Sequence, residues 1–203
     1  IVGFLIFLKM TYLFIQQFRP EGKILMTFLD QVIPFTSFFV LFYVLYYPFI
    51  VLPLFMNVKR KSHFFRTLGS LLFITISSFV MYTLFQTSMI RPDIVITSIF
   101  DKMVQFIYLM DKPLNLFPSL HVSLTTAAFF SLRKTDKKKS RYFFLIALGI
   151  IVSTVLIKQH VILDVLAGII LGGVSYLLFV SDIPKRIKFF RFLSLIEWKA
   201  KKE

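Results

Sequence analysis

The stretch TLGSLLFITISSFVMYTLFQTSMI, residues 67–90, contains no charged side chain, and IPFTSFFVLFYVLYYPFIVLPLFM, residues 33–56, contains none either. About 20 apolar residues in a row span the hydrocarbon core of a bilayer as an α-helix. A backbone surrounded by lipid must satisfy its own hydrogen bonds, which leaves helices or closed barrels. Runs of this length and composition predict helices. Weaker runs follow at about 116–132, 142–158 and 160–180. Residues 1–18 form a sixth, interrupted by Lys9, with no small-residue cleavage site behind them to mark a signal peptide. The expected fold is an all-α, integral-membrane six-helix bundle.

Composition agrees with that reading. Of 203 residues 57% are hydrophobic and 27 are Phe, well above the roughly half-apolar usage of soluble domains. The length fits one membrane domain over residues 1–203, with no second module. A net charge of +14 raises the prospect of nucleic acid, so the placement of the charges decides. Seventeen of the 24 basic residues lie in Lys59–Arg66, Arg133–Arg141 and Lys185–Lys202, three short segments between or after the apolar runs. The positive-inside rule produces that clustering. A nucleic-acid groove would instead interleave basic residues with exposed aromatics, and no nucleic-acid partner is expected. The chain has no cysteine, which removes disulfides, thiol catalysis and zinc–thiolate sites.

With the basic segments cytoplasmic, helices two, four and six end inside. The starts of helices four and six then share the outer face with the end of helix three. Residues 93–112 connect helices three and four there, with apolar residues at roughly helical spacing, and predict an amphipathic helix at the interface. The tail, residues 183–203, interleaves aromatics with basic residues and is expected to rest on anionic headgroups.

Ionisable residues beside apolar spans are costly and mark functional sites. Three groups of them meet on the predicted outer face. His160 and Asp164, four residues apart, lie on one helix face. A carboxylate on one ring nitrogen fixes the tautomer and frees the other nitrogen as nucleophile or base. Gly168 and Gly172 continue that face and predict close approach by a neighbouring helix. Pro118-Ser119-Leu120-His121 opens another helix, where unpaired amides attract anions. Arg91-Pro92 is expected to close helix three with a guanidinium suited to phosphate oxygens. Lys158 is a second cation at the same depth, and His63, in a basic segment, is read as a bystander.

Taken in order, Arg91-Pro92, Pro118-x-x-His121 and Ser153…His160-x-x-x-Asp164 resemble the type-2 phosphatidic acid phosphatase superfamily, over about residues 67–180. That family's pattern is Lys-x6-Arg-Pro, Pro-Ser-Gly-His and Ser-Arg-x5-His-x3-Asp. The family's lysine falls here on Leu84, its glycine on Leu120 and its third-motif arginine on Thr154. These departures look more like the branch of the inositol phosphorylceramide and sphingomyelin synthases and their bacterial relatives.

The resemblance implies a lipid phosphatase that cleaves a phosphomonoester or diphosphate with no metal or other cofactor. In it His160 would attack phosphorus, Asp164 would orient the ring and His121 would serve as acid and base. Arg91, the Ser119 region and Lys158 would bind phosphate. Headgroup transfer to an acceptor alcohol and an inactive protein of the same fold are the alternatives. The expected partners are a phospholipid or polyprenyl (di)phosphate and the bilayer. The expected setting is a bacterial inner membrane, with the site on its non-cytoplasmic face.

Overall fold

A computed structural model describes residues 22–182; the expected first span, 1–18, and the basic tail, 183–203, lie outside the described residues. A short strand β1 (Lys23–Ile24) and helix α1 (Phe28–Val32) lead into α2 (Ser37–Met56), which opens with a 3₁₀ turn. Then come α3 (Lys61–Leu84), β2 (Thr87–Ser88), α4 (Ile99–Met110), α5 (Leu120–Thr135), α6 (Ser140–Leu156) and α7 (Ile162–Val180). The last turn of α7, Tyr176–Val180, is a π turn. Among the described residues the chain is helical except for the parallel pair β1–β2 and its loops.

Three helices, α2, α3 and α7, are long and apolar enough to cross a membrane. Their outward faces carry Phe55, Phe65, Ile76 and Ile170, all exposed. A helix apolar on both its packed and its outer side suits a hydrocarbon surrounding. The α-helical pattern of α2 breaks at Leu45, between Val44 and Tyr46. Pro48, four residues after Val44, has no N–H to offer the Val44 carbonyl, which accounts for the break.

Helix α5 is the hub and packs on α2, α3, α6 and α7. Val122, Leu124, Ala127, Ala128 and Leu132 on it are buried. The α5–α7 contact is the closest for a sequence reason. A Cβ on Gly168 would stand 2.9 Å from the Ser119 carbonyl oxygen, and one on Gly172 would stand 2.5 Å from that of Ser123. The stripe of glycines therefore brings α7 against the start of α5, the helix that carries His121.

The sequence reading of helix three needs correction. The helix ends at Leu84, and residues 85–98 run as β2 and loop, so Arg91 lies in that loop. Long-range bonds explain the early stop. The Thr87 hydroxyl oxygen accepts from the Leu116 and Phe117 amides at 3.1 and 2.9 Å, and the Thr87 carbonyl accepts from Asn115 at 3.0 Å. These bonds hold the chain extended beside the α4–α5 connection. The amphipathic segment does form a helix, α4. Ser98 caps it by accepting from the Asp101 amide at 3.2 Å, and Asp101 reaches back to the Ser98 amide at 2.8 Å. That reciprocal pair satisfies two orphan donors of the first turn. Hydrogen bonds from Ser37, Ser98 and Thr97 hold the Asp101 carboxyl well below the usual carboxylate range.

Candidate active site

The connection from α6 to α7 places the first histidine. Lys158 adopts a left-handed backbone, φ 52°, and turns the chain so that the Gln159 and His160 amides both donate to the Thr154 carbonyl, at 2.8 and 3.0 Å. Asp164, one turn into α7 and fully buried, accepts from the Val161 amide at 3.1 Å and lies 3.4 Å from His160 Nδ1 through the same oxygen. One carboxylate oxygen thus caps the helix and orients the imidazole. The Asp164 carbonyl also accepts from the Ser119 amide at 3.1 Å, which ties the two histidine-bearing helix starts together.

Ser119 is the N-cap of α5, its hydroxyl oxygen accepting from the Val122 amide at 3.3 Å. The Tyr82 hydroxyl donates to the Pro118 carbonyl at 2.9 Å and fixes that turn against the end of α3. His121 then lies between two rings of α2, 4.7 Å from Tyr43 (stacked) and 4.3 Å from Tyr46, centroid to centroid. Its centroid is 5.9 Å from that of His160. The two imidazoles, 39 residues apart in sequence, therefore share one site.

Both histidines line a cavity of about 570 Å³. Its walls are tyrosines of α2 and α3, the apolar face of α4 (Met103, Phe106, Ile107, Met110) and Leu120. Lys102 and Asp111 also line it, as do two buried carboxamides, Asn115 and Gln159. The tyrosine wall and Asn115 formed no part of the sequence reading. Tyrosines spaced through an apolar span read simply as core, and Asn115 sits in a connection with no periodicity.

The other expected phosphate ligands stand elsewhere. Arg91 does not line the cavity. Its Nη1 donates to the Asp111 carbonyl and its Nη2 to Gln159 Oε1, both at 2.6 Å, while the guanidinium lies 4.4 Å from the Tyr108 ring centroid. Burial pushes the Tyr108 hydroxyl up to about 12 against the opposing pull of Arg91. The Lys158 ammonium donates to the carbonyls of Asp30 and Ile33 at 2.8 and 2.6 Å, which pins α1 to this turn. Burial draws that ammonium below its ordinary range, with Asp30 opposing. The Ser119 hydroxyl is absorbed by its cap and lies outside the cavity lining.

Asp30 is a residue the sequence reading missed. It accepts from the Ile162 amide at 2.7 Å and so caps α7 across 132 positions of sequence, a contact that no local signal announces. The departures from the family pattern also have places. Leu84 is 73% exposed, and Thr154 is buried with its hydroxyl on the Ile151 carbonyl at 2.7 Å. Among the described residues no group of three or more His, Asp or Glu is disposed to hold a metal ion.

A family profile described as the PAP2 superfamily matches residues 66–188. No curated protein and no solved structure matches the chain.

Proposed function

The chain belongs to the PAP2 superfamily, whose members are generally phosphatases or phosphotransferases acting on phosphate esters, and from that premise we propose a membrane lipid phosphatase working through a phosphohistidine. The observation that carries the proposal is the pair of imidazoles 5.9 Å apart in one cavity, one beside the Asp164 carboxylate and the other packed on the Tyr43 and Tyr46 rings. That asymmetry suits two roles. His160, with Nδ1 on Asp164, presents Nε2 as the nucleophile. His121, packed on tyrosines, supplies the proton to the departing oxygen.

In the first step the His160 Nε2 lone pair attacks phosphorus. The P–N bond forms, the P–O bond to the leaving alcohol breaks, and that oxygen takes its proton from His121. In the second step water gives a proton back to His121 as its oxygen attacks phosphorus and the P–N bond breaks. Splitting the displacement through a covalent intermediate replaces one hard step with two easier ones and requires no metal. Asp164 stabilises the positive ring that forms.

The substrate we propose is a lipid carrying phosphate or diphosphate. The apolar wall of α4 and the lipid-like outer faces of α2, α3 and α7 support it. In this reading α4 lies at the outer interface of a multi-pass protein in a bacterial inner membrane, with the lipid substrate and the bilayer as its partners. Headgroup transfer to an alcohol is the second reading, favoured by Leu84 and Thr154 where the family has cations.

The test is covalent trapping. Acid-labile ³²P should appear on the wild-type chain after brief exposure to labelled lipid, survive EDTA and vanish in His160→Ala together with essentially all turnover. Unlabelled wild type, a labelled His160→Ala or strict dependence on added magnesium would refute the mechanism. Free phosphate counted against new phosphodiester, with and without an acceptor lipid, separates the two readings.

A further inference from the structure

We propose that Gln159 is the residue that grips the substrate phosphate, with Arg91 braced behind it, and that the preferred phosphate carries a single negative charge, as a phosphodiester does. The proposal rests on the phosphohistidine chemistry above and, of its two readings, selects headgroup transfer from a phosphodiester over cleavage of a monoester.

Gln159 is 1% exposed, lines the cavity and precedes the nucleophile. A guanidinium can only donate, so its 2.6 Å contact obliges Gln159 to turn Oε1 toward Arg91. The amide nitrogen, Nε2, is then left over and has no hydrogen-bond partner among the described residues. A buried donor without a partner costs free energy unless a ligand supplies one. A cation bonded to the amide oxygen also polarises the N–H bonds and makes them stronger donors. Arg91 thus acts through Gln159 and is a positioning residue.

A second carboxamide repeats the arrangement. Asn115 is 1% exposed and lines the same cavity, its Oδ1 accepts from Gln86 Nε2 at 3.1 Å, and its Nδ2 has no partner among the described residues. The cations that would be expected here are placed otherwise. Lys158 is committed to two carbonyls, Leu84 stands outside, and Thr154 replaces an arginine. Apart from the imidazoles and tyrosines, the ionisable side chains of the lining are Lys102, exposed on α4, and Asp111.

The two amide donors of the lining, from Gln159 and Asn115, are therefore neutral. A phosphomonoester carries about −1.5 to −2 charges at neutral pH, and desolvating that charge against uncharged amides is costly. A phosphodiester carries one charge, which two amide donors and a distant guanidinium can meet. In the transfer step His160 Nε2 bonds to phosphorus, one ester P–O bond breaks and its oxygen takes the His121 proton. The second ester stays attached, so the intermediate keeps a single negative charge until water or an alcohol returns a proton to His121 and breaks the P–N bond.

The test follows loss of ³²P-labelled phosphatidylglycerol or phosphatidic acid, with the same acyl chains, in detergent micelles with the full chain at neutral pH. Wild type is expected to show kcat/KM about tenfold or more higher on the diester. Gln159→Met, which keeps the length and removes the donor, should lose about 10- to 100-fold on both lipids, mostly in KM. Gln159→Glu, which still offers Arg91 an acceptor but presents no N–H, should be no better. A wild type that prefers the monoester, or a Gln159→Glu chain as active as wild type, overturns the proposal. Label on His160 together with a monoester preference sinks the charge argument alone. No consumption of either lipid and no label on His160 sinks the phosphoryl-transfer reading and this inference with it.

Discussion

Helix α5 carries a polar cluster at each end, and the two ends are built on opposite terms. At its last turns Ser131 and Thr135 each lie 3.2 Å from His63 Nε2. Thr67 meets Ser131 at 2.8 Å, and Asn57 Nδ2 donates to Thr135 and to the Pro53 carbonyl, both at 2.8 Å. That end is a knot of neutral groups that ties α2, α3 and α5 together, its donors all placed and only the acceptor Asn57 Oδ1 left over among the described residues. At the first turn of α5 the histidines have a carboxylate beside one and aromatic rings around the other. There Gln159 Nε2 and Asn115 Nδ2 have no partner among the described residues, and both residues line a cavity of about 570 Å³. Polar content alone is thus a poor marker of chemistry. Donors left over at the wall of an open space are the better one.

The sharpest way to break the contrast is at His121. Its replacement by Ala should lower kcat by about 10²–10⁴, the usual worth of a positioned acid–base group, while the purified chain keeps its melting temperature within about 2–4 °C. The ring is held by stacking on Tyr43 and Tyr46, so its loss removes chemistry more than architecture. Steady-state kinetics beside a thermal melt decide it. Full activity would mean that some other group supplies the proton.

The next effect is smaller and lies in the helix contact that joins the two histidines. A Cβ at Gly172 would meet the Ser123 carbonyl oxygen at 2.5 Å and Thr126 Cβ at 2.7 Å, whereas one at Gly173 would have nothing within 4 Å. Gly172→Ala should therefore destabilise by about 1–3 kcal/mol through overpacking and lower turnover by shifting α5 against α7. Gly173→Ala should be neutral or gain up to about 1 kcal/mol as a helix-interior replacement. Melting of the two purified variants tests the pair, and equal melting temperatures would remove the close-contact argument.

That pair also shows what could be read without coordinates. The glycine stripe, the spacing of His160 and Asp164 and the apolar runs are local patterns, and local patterns survive in a sequence. The end of α3 was not legible, because Phe85, Met89, Ile90 and Ile94 continue the apolar run while the bonds that extend the chain come from Asn115, Leu116 and Phe117. The fate of Lys158 was hidden for the same reason, since its acceptors belong to Asp30 and Ile33. Arg91 was singled out by the sequence, but the Gln159 contact it makes follows from a loop geometry that spacing does not encode. Apart from the tyrosine wall, what escaped was a hydrogen bond between segments distant in the chain.

The smallest expected effect returns to the knotted end of α5. Although His63 fell within a basic segment by sequence, it stands in the first turn of α3, with its ring on two hydroxyls. If that end is purely structural, His63→Ala should cost only about 0.5–1.5 kcal/mol, the net worth of a neutral hydrogen bond. Ser131 keeps Thr67 and Thr135 keeps Asn57, so no large penalty for abandoned polar atoms follows. Turnover should be unchanged when assayed well below the melting temperature. A His63→Ala chain that melts like the wild type but loses activity would show that the two ends of α5 are coupled, and the contrast between a closed knot and an open site would have to be abandoned.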